Sequence, residues 1–175
     1  NISGDTVNAV KQAANFGLQK VSKIAVPWGI GIDQMKAIGA KALEGVIWGL
    51  NYFYKIDTPK NKALVERYRQ EYGVAIPYIA ASSYAAMLSF LEAIERVGAL
   101  DPQKVVMALE GYKYDGITGP EEWRACDHQC IKPYYSVRCK SPKDMKDPED
   151  FGDIIGYSKN FLPCEKTGCS MPKTF

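Results

Sequence analysis

Residues 23–50 hold the pattern that most restricts what this chain can fold into. A short β-rich run at 23–26 ends in Pro27-Trp28-Gly29. A helical stretch follows at 33–43, with Met35, Ile38 and Ala42 on one face. Then comes an unbroken apolar run at 45–50, Gly-Val-Ile-Trp-Gly-Leu. Strand, helix and strand at this spacing make a βαβ unit with two parallel strands and a right-handed crossover. The second run is of the kind expected in a parallel sheet, covered on both faces.

The flanks are mostly helical. Residues 4–17 read as a helix: Asp5 caps it, Val7, Val10 and Ala14 make a stripe, and Gly17 supplies the stop. Residues 52–60 are a connector carrying Asp57-Thr58-Pro59. Residues 61–72 place Leu64, Val65, Tyr68 and Tyr72 on one side, closed by Gly73. Residues 82–97 are apolar on most faces through Tyr84, Met87, Leu88, Leu91 and Ile94, so this helix is expected to be buried. Asp101-Pro102 opens a third helix ending at Leu109. The last third reads as strands at 121–124, 133–139 and 151–157. A charged loop at 141–150 is expected to be solvated, and 158–175 forms an irregular tail. Two or three parallel strands cannot cover the apolar faces of five helices. The expectation is that more polypeptide completes the fold, as a companion chain or as a first half not present here. The opening at Asn1, with neither Met nor a signal peptide, fits a processed protein or a fragment.

Composition excludes several classes. Of the 175 residues, 46% are hydrophobic and 24% charged, which places the chain among globular proteins. A net charge of +2 with dispersed basic residues argues against nucleic-acid binding. No apolar run approaches the roughly 20 residues of a membrane span.

Cys126, Cys130, Cys139, Cys164 and Cys169 cluster late in the chain. Such clustering on loops and a tail predicts disulfides in an oxidising compartment. The tail is expected to be tied back by Cys126 or Cys130 to Cys164 or Cys169. Five is odd, so at least one thiol stays free or pairs between chains. His128 is the only histidine. Cys126-x-His128-x-Cys130 offers a zinc set or a Cys/His nucleophile pair, but one-residue spacers strain tetrahedral ligation, and oxidised cysteines cannot attack. No G-x-S-x-G is present, and Gly29-Ile-Gly31 lacks the third glycine of a dinucleotide loop.

Four segments, in order, carry a resemblance: GDTVNAVKQAANFGL, LEGVIWGLNYF, NKALVERYRQEYG with SSYAAMLSFLEAIERVGALDP, and YDGITGPEEWRACDHQ. Together they resemble the periplasmic branched-chain amino acid/amide receptors of ABC transporters. The resemblance implies an α/β fold: part of a two-lobed type I periplasmic binding protein, with parallel sheets flanked by helices, lacking its N-terminal half. On that basis 1–53 belong to lobe 2, 54–112 are helices of lobe 1, and 113–175 hold the third hinge crossover and the C-terminal strands and tail. It implies capture of a small-molecule ligand, delivery to an ABC transporter permease, no catalysis and no cofactor. It also implies a periplasmic or extracellular location, with a lipid anchor as an option. The alternatives are a ligand-sensing regulator on the same fold, or a small Cys/His hydrolase.

In open α/β sheets, ligands sit beyond the carboxyl ends of strands. Two such ends are visible: Ile2, Ser3 and Gly4 before the first helix, and Trp28 and Gly29 after the 23–26 strand. Backbone amides at the helix start are suited to an anionic group. Amino-acid receptors of the family carry an acid where this chain has Trp28. An indole offers stacking, aliphatic cover or a cation–π face instead of a negative charge. The expected ligand is therefore an aromatic acid, an amide or another small organic solute more than a plain branched-chain amino acid. Trp48, Tyr52, Tyr78 and Tyr84 are read as packing.

Overall fold

Residues 4–28 and 31–171 are described in a computed structural model. The chain runs through α1 (Gly4–Asn15), β1 (Ala25–Val26), α2 (Ile32–Ile38), α3 (Ala40–Leu43) and β2 (Ile47–Leu50). β1 and β2 pair in parallel, Ala25 opposite Ile47 and Val26 opposite Trp48, so the βαβ unit forms as read. Its helix is broken in two at Gly39, whose φ of 91° lies where only glycine is comfortable.

β2 differs from the expected parallel-sheet interior. Its far side pairs antiparallel with β6 (Tyr134–Cys139), which carries β7 (Gly152–Ser158). The sheet order is β1-β2-β6-β7. Burial along β2 alternates, with Trp48 and Leu50 inside and Ile47 and Gly49 half-covered. Trp48, Met35, Leu43 and Val137 are 0% exposed and form the centre of the core. Burying an apolar side chain of this size is worth about 1.5–3 kcal/mol. The Trp48 indole N–H donates to the Cys139 thiol at 3.0 Å, so the one polar atom of that side chain is satisfied.

A second, antiparallel sheet has the order β3-β4-β5, from Lys113–Gly116, Gly119–Trp123 and Cys130–Ile131. Of these strands the sequence pattern predicts only β4. Three helices lie between the sheets in the chain: α4 (Pro59–Tyr72), α5 (Tyr78–Val97) and α6 (Pro102–Leu109). Thr58 caps α4 by accepting from the Asn61 N–H at 3.1 Å, with Pro59 at the first helical position. Asn61, 0% exposed, then stitches the connector to the helix. It accepts from the Tyr52 hydroxyl at 2.8 Å and donates to the carbonyls of Tyr54 and Ile56. Tyr52 is therefore a packing residue, as expected.

Two expectations are overturned. α5 begins at Tyr78 and is not buried on most faces. Ala81, Ser89 and Ala93 face inward, while Tyr84, Met87, Phe90 and Leu91 are 45–58% exposed. The apolar pattern exceeds what the described residues cover. The charged stretch 141–150 is not simply solvated either. Its end folds back as an anchor. The Glu149 carboxylate meets Lys36 of α2 at 2.6 Å, the Ala75 N–H at 2.8 Å and Arg69 of α4 at 3.7 Å. Asp150, 2% exposed, pairs with Lys55 and with Lys140, and accepts from the Lys146 N–H. Burial alone raises its pKa, but the Lys55, Lys146 and Lys140 contacts outweigh it and hold the carboxyl well below the usual range.

Candidate functional site

The β1–β2 ladder ends where β1 meets Pro27, which has no N–H to continue it. The Pro27 carbonyl instead accepts from the Tyr134 hydroxyl of β6 at 2.5 Å. Trp28 follows and is 54% exposed, although it adjoins a sheet whose interior is sealed. An indole held out of the core at a strand's carboxyl end offers a flat apolar face with one donor.

Beside Trp28 lies a cavity of about 300 Å³ between α1 and β1, lined by Thr6, Val10, Ala13, Ile24, Val26 and Trp28. Thr6 is 3% exposed, and its hydroxyl has no hydrogen-bond partner among the described residues. Of the five residues expected to touch a ligand, Gly4 heads α1, which forms one wall of this cavity, and Trp28 sits on the other. Ile2, Ser3 and Gly29 lie outside the described residues. Tyr78, at the start of α5, packs against Gly31 at the start of α2. Sequence reasoning missed Tyr134, because nothing in its strand pattern shows that its hydroxyl reaches a residue 107 positions away.

A larger cavity of about 910 Å³ runs between α4 and α5 above β3, lined by Leu64, Tyr68, Tyr84, Leu88, Tyr114 and Ile117 among others. It is bounded by the faces of α4 and α5 and by the carboxyl end of β3 with Ile117 beyond it, and several of its lining residues are on the exposed face of α5. Tyr84 belongs to this surface and is not packed inside as expected.

The Cys/His segment is built for shape. Cys126 is bonded to Cys164, Cα atoms 6.1 Å apart, and this ties the tail back. Arg124 adds a second tie by donating to the Leu162 carbonyl at 2.8 Å and also clamps Asp127. The Arg124 hydrogen bond holds the Asp127 carboxyl below its ordinary range. His128 adopts a left-handed φ of 55°, and its Nε2 lies 2.8 Å from the Glu110 carboxylate. Cys130 and Cys169 are free thiols. Burial pushes the Cys130 thiol up, as does Glu121 nearby. Burial pushes Cys139 to about 12. Glu121, 4% exposed, accepts from the Thr118 N–H and hydroxyl and from the Tyr114 hydroxyl, fixing the β3–β4 turn. Cys126 is thus consumed by its bridge, and Cys130 is held as a neutral thiol. No group of three metal-ligand side chains is gathered among the described residues.

Residues 1–146 match the family model described as periplasmic binding protein. The leucine-, isoleucine-, valine-, threonine- and alanine-binding protein of Pseudomonas aeruginosa is 30% identical over 110 residues, 63% of this chain and 29% of that protein. The solved amino acid ABC transporter substrate-binding protein of Pseudomonas fluorescens is 35% identical, with a TM-score of 0.93 over 98% of this chain and 46% of the other. A solute-binding protein of an ABC transporter from Rhodopseudomonas palustris, solved in complex with 3,4-dihydroxybenzoic acid, has a TM-score of 0.74 over 90% of this chain and 43% of the other. At 22% identity that likeness is one of fold. The chain spans less than half the length of each of these relatives. With the α/β architecture and most of its length matched, the chain belongs to the periplasmic binding protein family.

Proposed function

We propose that this chain forms part of an extracytoplasmic solute-binding protein, which captures a small organic solute and delivers it to an ABC importer permease. The lobes close on the ligand, and the closed form docks on the permease. The observation that carries the reading is Trp28, 54% exposed at the carboxyl end of β1 and beside a cavity walled on its other side by Thr6, Val10 and Ala13 of α1. Its indole supplies a stacking wall where the resemblance implies an acid. The start of α1 at Gly4 suits a carboxylate or amide oxygen. An aromatic acid or an amide fits this pair of features better than an aliphatic amino acid, whose ammonium finds no acid at position 28.

The ligand's other wall, on this reading, comes from an N-terminal half of the same protein. Two surfaces support it: the apolar face of α5 through Tyr84, Met87, Phe90 and Leu91, and the outer edge of β1, which pairs only with β2 among the described residues. A ligand-sensing regulator on the same fold would use the same wall and differ only in what reads the closed form. A Cys/His hydrolase is disfavoured by the Cys126–Cys164 bridge and the neutral Cys130.

A thermal-shift panel of aromatic acids, amides and aliphatic amino acids on the full-length protein tests the reading. The largest shift is expected from an aromatic acid or amide, and Trp28→Ala should abolish it. A largest shift from leucine or valine, retained in Trp28→Ala, overturns the role given to the indole.

A further inference from the structure

We infer that Gly49 and Tyr134 form a seat that fixes the Pro27–Trp28 segment and act as positioning residues for the indole, an inference that rests on the reading of Trp28 above. Beyond Val26 the segment has no ladder bonds to hold it: the last β1–β2 pair is Val26 with Trp48, and Pro27 donates nothing. Its carbonyl is held instead by Tyr134, on the strand beyond β2 in the order β1-β2-β6. To reach Pro27, the Tyr134 side chain must pass over β2, and it does so at Gly49.

The fit leaves no room for a side chain there. A Cβ on Gly49 would overlap the Pro27 carbonyl oxygen. It would also lie 2.9 Å from Cε1 of Tyr134 and 3.0 Å from the Pro27 carbonyl carbon. Glycine inside a strand ordinarily weakens it and marks a close approach of another backbone. Here the aromatic ring covers the bare backbone and returns part of the lost packing. Burial raises the Tyr134 phenol, so it remains a neutral donor across the physiological range. A wall fixed before the ligand arrives costs less ordering on binding than a mobile one.

The test compares the full-length parent with Tyr134→Phe, which keeps the ring and removes only the hydroxyl. Amide hydrogen exchange, read without ligand, is expected to rise about fivefold or more for residues 24–31, the size one lost hydrogen bond supports. The amides of 47–50 and 135–139 should stay protected. Binding of 3,4-dihydroxybenzoate, used as the probe, should weaken by a similar factor of about five, through faster dissociation at an unchanged association rate. Gly49→Ala should produce both effects more strongly. Because it also strains the sheet, Tyr134→Phe is the deciding variant. Unchanged exchange over 24–31 in Tyr134→Phe overturns the seat. Freed exchange with unchanged probe affinity, where Trp28→Ala does weaken the probe, overturns the positioning role. Probe binding that survives Trp28→Ala overturns the reading of Trp28, and the seat then stands or falls on the exchange of 24–31 alone.

Discussion

The centre of the β1-β2-β6-β7 sheet and the outer face of helix α5 both carry large apolar side chains and bury them to opposite degrees. In the sheet, Trp48 and Val137 are fully enclosed, and the Trp48 N–H and the Cys139 thiol satisfy one another. On α5, Met87 and Leu91 stay more than half exposed, and the neighbouring gap reaches about 910 Å³. The contrast teaches that the same kind of side chain is enclosed at the centre of the sheet and left open on the outer face of α5, the face to which the proposal above assigns an N-terminal half.

Substitutions can break this division or sharpen it. The largest effect should fall at the centre of the sheet. Trp48→Ala is expected to cost about 3–5 kcal/mol in a urea titration, by cavity formation and loss of the indole's transfer energy. A loss below about 1 kcal/mol would mean the sheet is no better packed than α5. Cys126→Ser comes next. Opening the Cys126–Cys164 loop should lower stability by about 2–4 kcal/mol and expose the tail to protease. Intact mass with and without reductant reports the same bridge directly.

Asp150→Asn should cost about 2 kcal/mol, less than a fully buried pair because Lys55 is partly exposed. The sign with pH follows from the depressed pKa. The Asp150 contribution is fully present above the unfolded carboxyl value of about 4 and is lost as pH falls through the lower folded value. The parent should therefore lose stability steadily below about pH 4, and Asp150→Asn should flatten that slope. The smallest effect belongs to the exposed helix face. Met87→Ser and Leu91→Ser should shift the stability of this chain by about 0.5 kcal/mol or less, while weakening the association with the N-terminal half proposed above.

The elements that could be read in advance are those whose signals are local. The end of α4 was read at Gly73 and holds, whereas its start was placed at 61, two residues late, because Thr58-Pro59 was assigned to the connector and not read as cap and first turn. The βαβ pairing follows from spacing, and the structure keeps it. β3 was missed because Lys-Tyr-Asp-Gly carries little strand propensity; it is recruited by β4 and by the Tyr114–Glu121 hydrogen bond. Glu149 and Asp150 looked like solvated charge because their partners, Lys36, Ala75 and Lys55, lie about 70 to 110 residues earlier. Cysteine spacing named the four candidates, but Cys126 and Cys164 were chosen by the fold. At the candidate site, the exposure of Trp28 beside the α1–β1 cavity agrees with its place after a strand-ending proline. The contacts of Gly49 and Tyr134 with Pro27 could not be read, since they depend on which strand lies beside which.

Hydrogen exchange along α5, in this chain alone and with the N-terminal half supplied, tests the account most directly. Amides from 84 to 94 are expected to exchange about tenfold or more slowly when the apolar face is covered, while those of β2 and β6 change little. Equal exchange of α5 in the two states would contradict the account, because the apolar face would then not be the surface that the N-terminal half covers.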